Sequence, residues 1–237
     1  MKRKTHFSFK QFTLQHDRCT MKVGTDAVLL GAWANVSGVR RILDIGTGSG
    51  VIALMLAQRT PEDVRIDAVE TSESDACQAA ENVIQSPWPN KIKVINLAVQ
   101  EYSPAEKFDL VISNPPFFHR SQEPPDKRRH RARHTAALDH ESLLASACRL
   151  LSDEGKLNLI LPNVEGNSFI LHALDHNLFC TRKHSFRTRA EKPIERWLLE
   201  FSRRHGATET GEVLHYDQGS GWSDQYVALT KDFYLKL

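Results

Sequence analysis

The run Arg40-Arg41-Ile42-Leu43-Asp44-Ile45-Gly46-Thr47-Gly48-Ser49-Gly50-Val51-Ile52-Ala53-Leu54 passes from apolar residues to three glycines at alternate positions, and then to residues at helical spacing. A buried strand, a tight turn and a helix start are implied, with a main chain that can approach a ligand without side chains between. A second apolar run, 66–69, ends at Glu70, twenty positions beyond Gly50. In a doubly wound sheet both points fall at the carboxyl edge of adjacent strands, where ligands bind, and a carboxylate there accepts both hydroxyls of a ribose. Gly46, Thr47, Gly48, Gly50 and Glu70 are therefore expected to hold a nucleoside-bearing ligand. A dinucleotide site needs Gly-x-Gly-x-x-Gly to bring a pyrophosphate onto the helix N-terminus. Here the spacing is Gly-x-Gly-x-Gly and Asp44 precedes it. An acid at that point repels a pyrophosphate and suits the ammonium group of a methionine moiety. S-adenosyl-L-methionine fits better than NAD.

Outward from this turn, apolar runs alternate with longer amphipathic stretches, the pattern of a mostly parallel α/β sheet with helices on both faces. Strands are expected at 42–45, 66–69, 92–97, 108–112 and 156–161, and crossover helices at 51–59, 73–84, 140–151 and 164–176. Two extended runs follow, 181–186 and 196–201, joined by a short segment containing Pro193. They predict an antiparallel hairpin that closes the sheet's edge and brings the count to seven strands. No repeat or linker divides the chain. One domain is expected over 1–237, with an N-terminal arm (1–37), a core (38–203) and a C-terminal extension (204–237). In the arm, Phe7, Phe9 and Phe12 punctuate an extended opening, and Asp26 is placed to cap a helix running to Trp33.

A chain of 237 residues, 41% hydrophobic and 25% charged, can bury one sizeable core. Its formal net charge is only +2, so binding a polyanion would require cations gathered on one face. Cys19, Cys77, Cys148 and Cys180 are too far apart for a zinc or redox motif and read as free thiols; no metal is expected. Lys2, Arg3 and Lys4 open the chain, but polar residues follow where a signal peptide needs an apolar stretch, and no run is long enough to span a membrane. A cytoplasmic location is expected.

The most informative stretch is Asp109-Leu110-Val111-Ile112-Ser113-Asn114-Pro115-Pro116-Phe117, which runs off the fourth strand toward the ligand edge. Two prolines without N–H donors fix φ and make a stiff bracket whose carbonyls face whatever is bound. An exocyclic amine is a weak nucleophile because its lone pair is delocalised into the ring. The Asn114 side-chain oxygen and the Pro115 carbonyl can each accept one N–H, favouring a tetrahedral nitrogen with its lone pair toward a sulfonium methyl. The methylated nitrogen is acidic and loses its proton to water, so a neutral Asn suffices. Phe117 offers a face on which a base stacks, a contact of about 1–3 kcal/mol. Catalytic roles are thus assigned to Asn114, Pro115, Pro116 and Phe117. An ordinary strand-ending turn is the plainer alternative.

Just beyond, Lys127, Arg128, Arg129, Arg131 and Arg133 form a basic run in a stretch poor in apolar residues. Such a cluster attracts phosphates, each contact adding about 0.7 to 0.9 to the salt slope. Its nearness to Asn114 favours a nucleic acid over a neutral peptide. Lys183, Arg187, Arg189, Arg203 and Arg204 are candidates to extend that surface.

The succession of Asp44-Ile45-Gly46-Thr47-Gly48-Ser49-Gly50, Glu70 and Asn114-Pro115-Pro116-Phe117 resembles the Rossmann-like class I methyltransferases that modify adenine N6, guanine N2 or glutamine amides. The resemblance covers about residues 40–201. The segments Phe7-Ser8-Phe9-Lys10-Gln11-Phe12 and Met21-Lys22-Val23-Gly24-Thr25-Asp26-Ala27-Val28-Leu29-Leu30-Gly31-Ala32-Trp33 are similar to those of bacterial enzymes that methylate adenine N6 beside the anticodon of valine tRNA, at adenine 37. The resemblance implies S-adenosyl-L-methionine as donor, a tRNA anticodon loop as acceptor and a monomer. In such enzymes the segment before the first strand covers the cofactor, which makes Lys22, Thr25 and Asp26 candidate cofactor-binding residues, with a plain helix cap as the alternative for Asp26. Many related enzymes place an acid near the end of the third strand to meet the cofactor's adenine. Here Asn96-Leu97-Ala98-Val99 stands instead, and that contact stays open between the main chain and Asn96. A protein-glutamine methyltransferase, an rRNA amino-methyltransferase and a non-catalytic RNA-binding module are the alternative readings.

Overall fold

The computed structural model describes residues 5–116, 139–217, 219 and 221–236. In chain order the elements are β1 (His6–Ser8), β2 (Thr13–Gln15), α1 (Thr25–Trp33), β3 (Arg41–Ile45), α2 (Val51–Arg59), β4 (Arg65–Glu70), α3 (Glu73–Ile84), β5 (Ile92–Asn96), β6 (Phe108–Ser113), α4 (His140–Leu150), β7 (Leu151–Pro162), α5 (Asn163–Asp175), β8 (Phe179–Arg187), β9 (Arg196–Ser202), β10 (Glu209–Leu214) and α6 (Asp224–Thr230). β1 and β2 form a small hairpin, and the main sheet has the order β10-β8-β9-β7-β6-β3-β4-β5. β9 runs antiparallel to β7 and β8, while the other neighbours pair in parallel.

Strand residues alternate between two buried faces. Ile42, Leu110, Ile112 and Ile160 pack with α1 and α2, whereas Leu43, Ile45, Val111, Leu157, Leu159 and Leu161 pack with α4 and α5. Each fully buried Leu or Ile contributes about 1.5–3 kcal/mol, so the central strands are held from both sides. From β3 the chain winds out through β4 and β5, then returns to lay β6 on the other flank of β3. The ends of β3 and β6 therefore lie side by side at the switch point, Ile45 opposite Ser113. Ligands of open α/β sheets bind at such a point.

Three expectations need correction. The main sheet has eight strands rather than seven, because residues 204–237 supply β10, paired in parallel with β8 from Glu209–Arg182 to Leu214–Arg187. The β8–β9 hairpin accordingly lies inside the sheet, with β10 at its edge. Glu209-Thr210-Gly211-Glu212-Val213-Leu214 buries only Val213, so an edge strand this polar carries almost no period-2 signal. β7 starts at Leu151, ahead of the expected 156, through a bulge opposite Phe108 and Leu110. Ser152-Asp153-Glu154-Gly155 reads as a turn, and a Cβ on Gly155 would stand 2.7 Å from the Phe108 carbonyl oxygen. Finally, α1 ends at Trp33 as expected, but its N-cap is Gly24; Asp26 sits in the first turn. Among the described residues no helix is long and apolar enough to cross a membrane.

Candidate active site

At the end of β3 the three glycines all have positive φ: 70° at Gly46, 54° at Gly48 and 84° at Gly50, a region that L side chains enter only at a cost. A Cβ on Gly46 or Gly48 would meet no described atom within 4 Å, whereas one on Gly50 would touch Ala79 of α3 at 3.6 Å. The first two glycines thus border open space, and the third turns the chain into α2 against α3. Gly46 and Thr47 both donate their amides to the Val69 carbonyl, at 2.9 and 3.1 Å, which ties the turn to β4.

Asp44 is fully buried. Its Oδ2 accepts from the Thr47 hydroxyl at 2.6 Å, while Oδ1 has no hydrogen-bond partner among the described residues. Burial pushes its pKa up to about 7, the Thr47 hydroxyl opposing and the Glu70 charge adding to the rise. At the end of β4, Glu70 accepts from the Gly48 amide at 3.0 Å on Oε2 and from the Ser72 amide at 3.0 Å on Oε1. Oε1 also accepts from the Thr71 hydroxyl at 3.3 Å, whereas Oε2 keeps a further lone pair for a ribose hydroxyl. An orphaned carboxyl oxygen, an open glycine turn and a fixed carboxylate together suit S-adenosyl-L-methionine: Asp44, when ionised, toward its ammonium, Glu70 toward its ribose.

Across the switch point, the Ser113 hydroxyl donates to the Ile45 carbonyl at 2.8 Å and pins the end of β6 to the end of β3. Asn114 follows, its side-chain oxygen buried and without a partner among the described residues. Pro115 is buried and Pro116 exposed. A buried acceptor left unpaired costs about 1–3 kcal/mol, and a bound amine would recover it. Phe117, Lys127, Arg128, Arg129, Arg131 and Arg133 lie outside the described residues.

The three lid candidates have different surroundings. Lys22 is exposed, Thr25 lines a cavity beside α6, and Asp26 accepts from Arg196 Nε at 2.8 Å. What fixes the arm is a buried polar stripe on α3, Asp75, Gln78 and Asn82. Asn82 accepts from the Gln15 amide at 2.9 Å and donates to the carbonyls of Gln15 at 2.8 Å and Ser49 at 2.9 Å. Gln78 accepts from the Arg18 amide at 2.8 Å, and Asp75 from the Thr20 amide at 3.2 Å. The sequence reading missed this stripe, although polar residues at i, i+3 and i+7 beside the apolar Ala76, Ala79 and Val83 were its signal. Asn96 spends its amide protons on the Glu70 carbonyl at 2.8 Å and the Thr71 carbonyl at 3.2 Å, bracing the end of β4. Of the proposed basic extension, Arg187 pairs with Glu212 and Arg189 sits over Tyr216. Arg203 and Arg204 follow Ser202, which pairs with Lys156, so they leave the sheet at the edge opposite the glycine turn.

Residues 21–184 match the family described as Methyltransferase small domain. The chain is 46% identical, over the full length of both, to the tRNA1(Val) (adenine(37)-N6)-methyltransferase of Aeromonas hydrophila subsp. hydrophila. Two solved structures share the fold. A predicted O-methyltransferase from Agrobacterium tumefaciens superposes with a TM-score of 0.65 at 19% identity, covering 88% of this chain and 96% of that one. A TehB-like S-adenosylmethionine-dependent methyltransferase from Corynebacterium glutamicum gives a TM-score of 0.52 at 18% identity, covering 78% and 90%. The glycine turn, the proline bracket beside it and these matches agree: the chain belongs to the methyltransferase small domain family of S-adenosyl-L-methionine-dependent enzymes.

Proposed function

We propose that this protein transfers a methyl group to the N6 amine of adenine 37 in the anticodon loop of valine tRNA. The observation that carries the reading is the orphaned Asn114 oxygen on its proline bracket, held beside the glycine turn by Ser113; the full-length relative from Aeromonas supports the substrate. S-adenosyl-L-methionine, when bound, supplies an electrophilic methyl carbon. Asn114 Oδ1 and the Pro115 carbonyl accept the two N–H groups of the adenine amine, drawing its lone pair out of conjugation with the ring. The adenine lone pair would form the new N–C bond as the methyl–sulfur bond of the donor breaks, the bonding pair staying on sulfur as S-adenosylhomocysteine leaves, and the surplus proton on nitrogen goes to water. Neither proline has an N–H to compete for those acceptors.

Phe117 stacks on the target base, and Lys127, Arg128, Arg129, Arg131 and Arg133 contact phosphates flanking it. A loop adenine is already partly unstacked, so swinging it into the site costs less than extracting it from a duplex. The arm, tied to α3, covers the donor, and the arm, core and extension act as one domain. The enzyme works in the cytoplasm as a monomer, without a metal.

Labelled donor incubated separately with total tRNA, ribosomal RNA and total protein tests the substrate: label belongs in N6-methyladenosine of tRNA, and label in glutamine would overturn the reading. Asn114→Ala should lower kcat by about 10²–10³-fold, the scale of removing one preorganised transition-state contact, while donor affinity stays within twofold. Normal turnover with lost donor binding would contradict the assigned role.

A further inference from the structure

The sheet edge that carries the glycine turn and Asn114 continues past Pro162 of β7 and Arg196 of β9 to Arg187 of β8 and Leu214 of β10. β10 stands four strands from β6, about 19 Å at about 4.8 Å per strand. Beside its end lies a cavity of about 530 Å³, walled by Phe7, Thr25, His215, Tyr216, Trp222 and Tyr234. Its walls are rings. His215 stacks on Tyr216 at 4.1 Å and lies within 27° of the Trp222 plane, and Trp222 meets Tyr234 at 5.7 Å. An antiparallel bridge pairs Tyr216 with Trp222, and the Asp217 amide donates to the Gly221 carbonyl at 3.1 Å. Burial lowers the His215 pKa, which keeps that ring neutral near pH 7.

Cations border the rings. The Arg189 guanidinium lies 5.5 Å from the centre of the Tyr216 ring and donates to the Asp217 carbonyl at 3.2 Å; no carboxylate pairs with it among the described residues. Lys236, exposed, lines the mouth. Aromatic faces with cations beside them are how single-stranded nucleic acid is held: bases stack and phosphates are met by charge. An uncharged lipid or an apolar peptide would have no use for the cations, and an isolated phosphate none for the rings.

We infer that this aromatic basin is a second RNA contact, taking an unpaired nucleobase of the same RNA whose adenine is held at Asn114, with Arg189 and Lys236 facing the adjoining phosphates. The inference rests on the proposed tRNA substrate and adds a site some 19 Å along the edge from the reacting base.

A protein–RNA double-mutant cycle tests it. Trp222→Ala should raise KM for an anticodon stem-loop on the order of tenfold, the range of one lost base stack, with kcat at saturating RNA and donor affinity within twofold. Trp222→Phe, which keeps a ring face, should recover most of the loss; equal losses in both variants, tracking a fall in Tm, would assign Trp222 to packing alone and overturn the inference. In stem-loops carrying a single abasic nucleotide, the penalty of Trp222→Ala should vanish at one unpaired position outside the target. Penalties that stay additive at every position overturn the basin while leaving the proposed substrate intact. Methylation of protein glutamine, with no RNA methylated, removes both.

Discussion

At the donor end of the carboxyl edge, position is set by main chain. Three left-handed glycines, two amides on the Val69 carbonyl and a carboxylate braced by the Gly48 and Ser72 amides leave little to move. Five strands from β3, the basin beside β10 is set by side chains: stacked rings bridged at Tyr216 and Trp222, with Phe7 and Tyr234 closing the wall. The contrast follows from what each end receives. A small donor of invariant shape rewards a rigid backbone cradle, whereas a base at the end of a flexible strand rewards large faces that tolerate its approach.

Filling the backbone cradle should break the donor end most severely. Gly48→Val places a branched side chain at φ 54°, a conformation that costs an L residue at least about 1–2 kcal/mol. Its Cβ meets no described atom, so the protein can still fold, and the methyls occupy the space the donor needs. Donor affinity should fall by about 100-fold or more, some 2.8 kcal/mol, read by calorimetry. RNA affinity should change by less than twofold, because the RNA end does not depend on that turn. Equal losses at both ends would show the two to be one site.

The same contrast explains what the sequence discloses. Gly46, Gly48, Gly50, Pro115 and Pro116 impose their conformations locally, so the donor turn and the acceptor bracket can be read without knowing the fold. β3, β4 and β6 put buried residues on both faces of the sheet and show as apolar runs. The polar edge strand β10, the α3 stripe and the aromatic basin depend on partners far along the chain, from 27 positions for β10 and β8 to 67 for Gln15 and Asn82, or on chain ends meeting, as Phe9 meets Tyr234. Their residue types are ordinary for a helix surface or a loop, and only the tertiary arrangement gives them a role. Asp26 illustrates the point: an acid before a helix reads as a cap, yet its partner is Arg196, 170 positions on.

A smaller effect is expected where that long-range tie meets the donor end. Asn82 is 1% exposed, and its side chain makes three hydrogen bonds to the backbone of Gln15 and Ser49. Asn82→Ala strands buried backbone groups and should destabilise the fold by about 2–3 kcal/mol, measured by urea unfolding. Locally, the Gln15 and Arg18 amides should exchange with solvent faster than the amides of β3, because the arm opens first. If every amide accelerates alike, the arm and the donor turn are one cooperative unit and the distinction between main-chain and side-chain positioning fails there.

The mildest test uses the proton on Asp44. With its pKa near 7 in the free protein, against 3.8 for an unperturbed group, the folded state binds a proton between about pH 4 and 7 that the unfolded chain releases. This group therefore makes the free protein less stable as pH rises through that window, opposite to a salt-bridged carboxylate. A cationic ligand needs the ionised form, so donor binding should strengthen roughly eightfold from pH 6 to pH 7.5, following the ionised fraction, and should release about half a proton near pH 7. Calorimetry in buffers of different ionisation enthalpy measures that release, and the Tm gained on adding donor should widen over the same range. Asp44→Asn, which cannot ionise, should bind donor more weakly at pH 7.5 and lose the pH dependence. A slope that persists in Asp44→Asn would move the titrating group elsewhere and leave the orphaned oxygen without its ammonium partner.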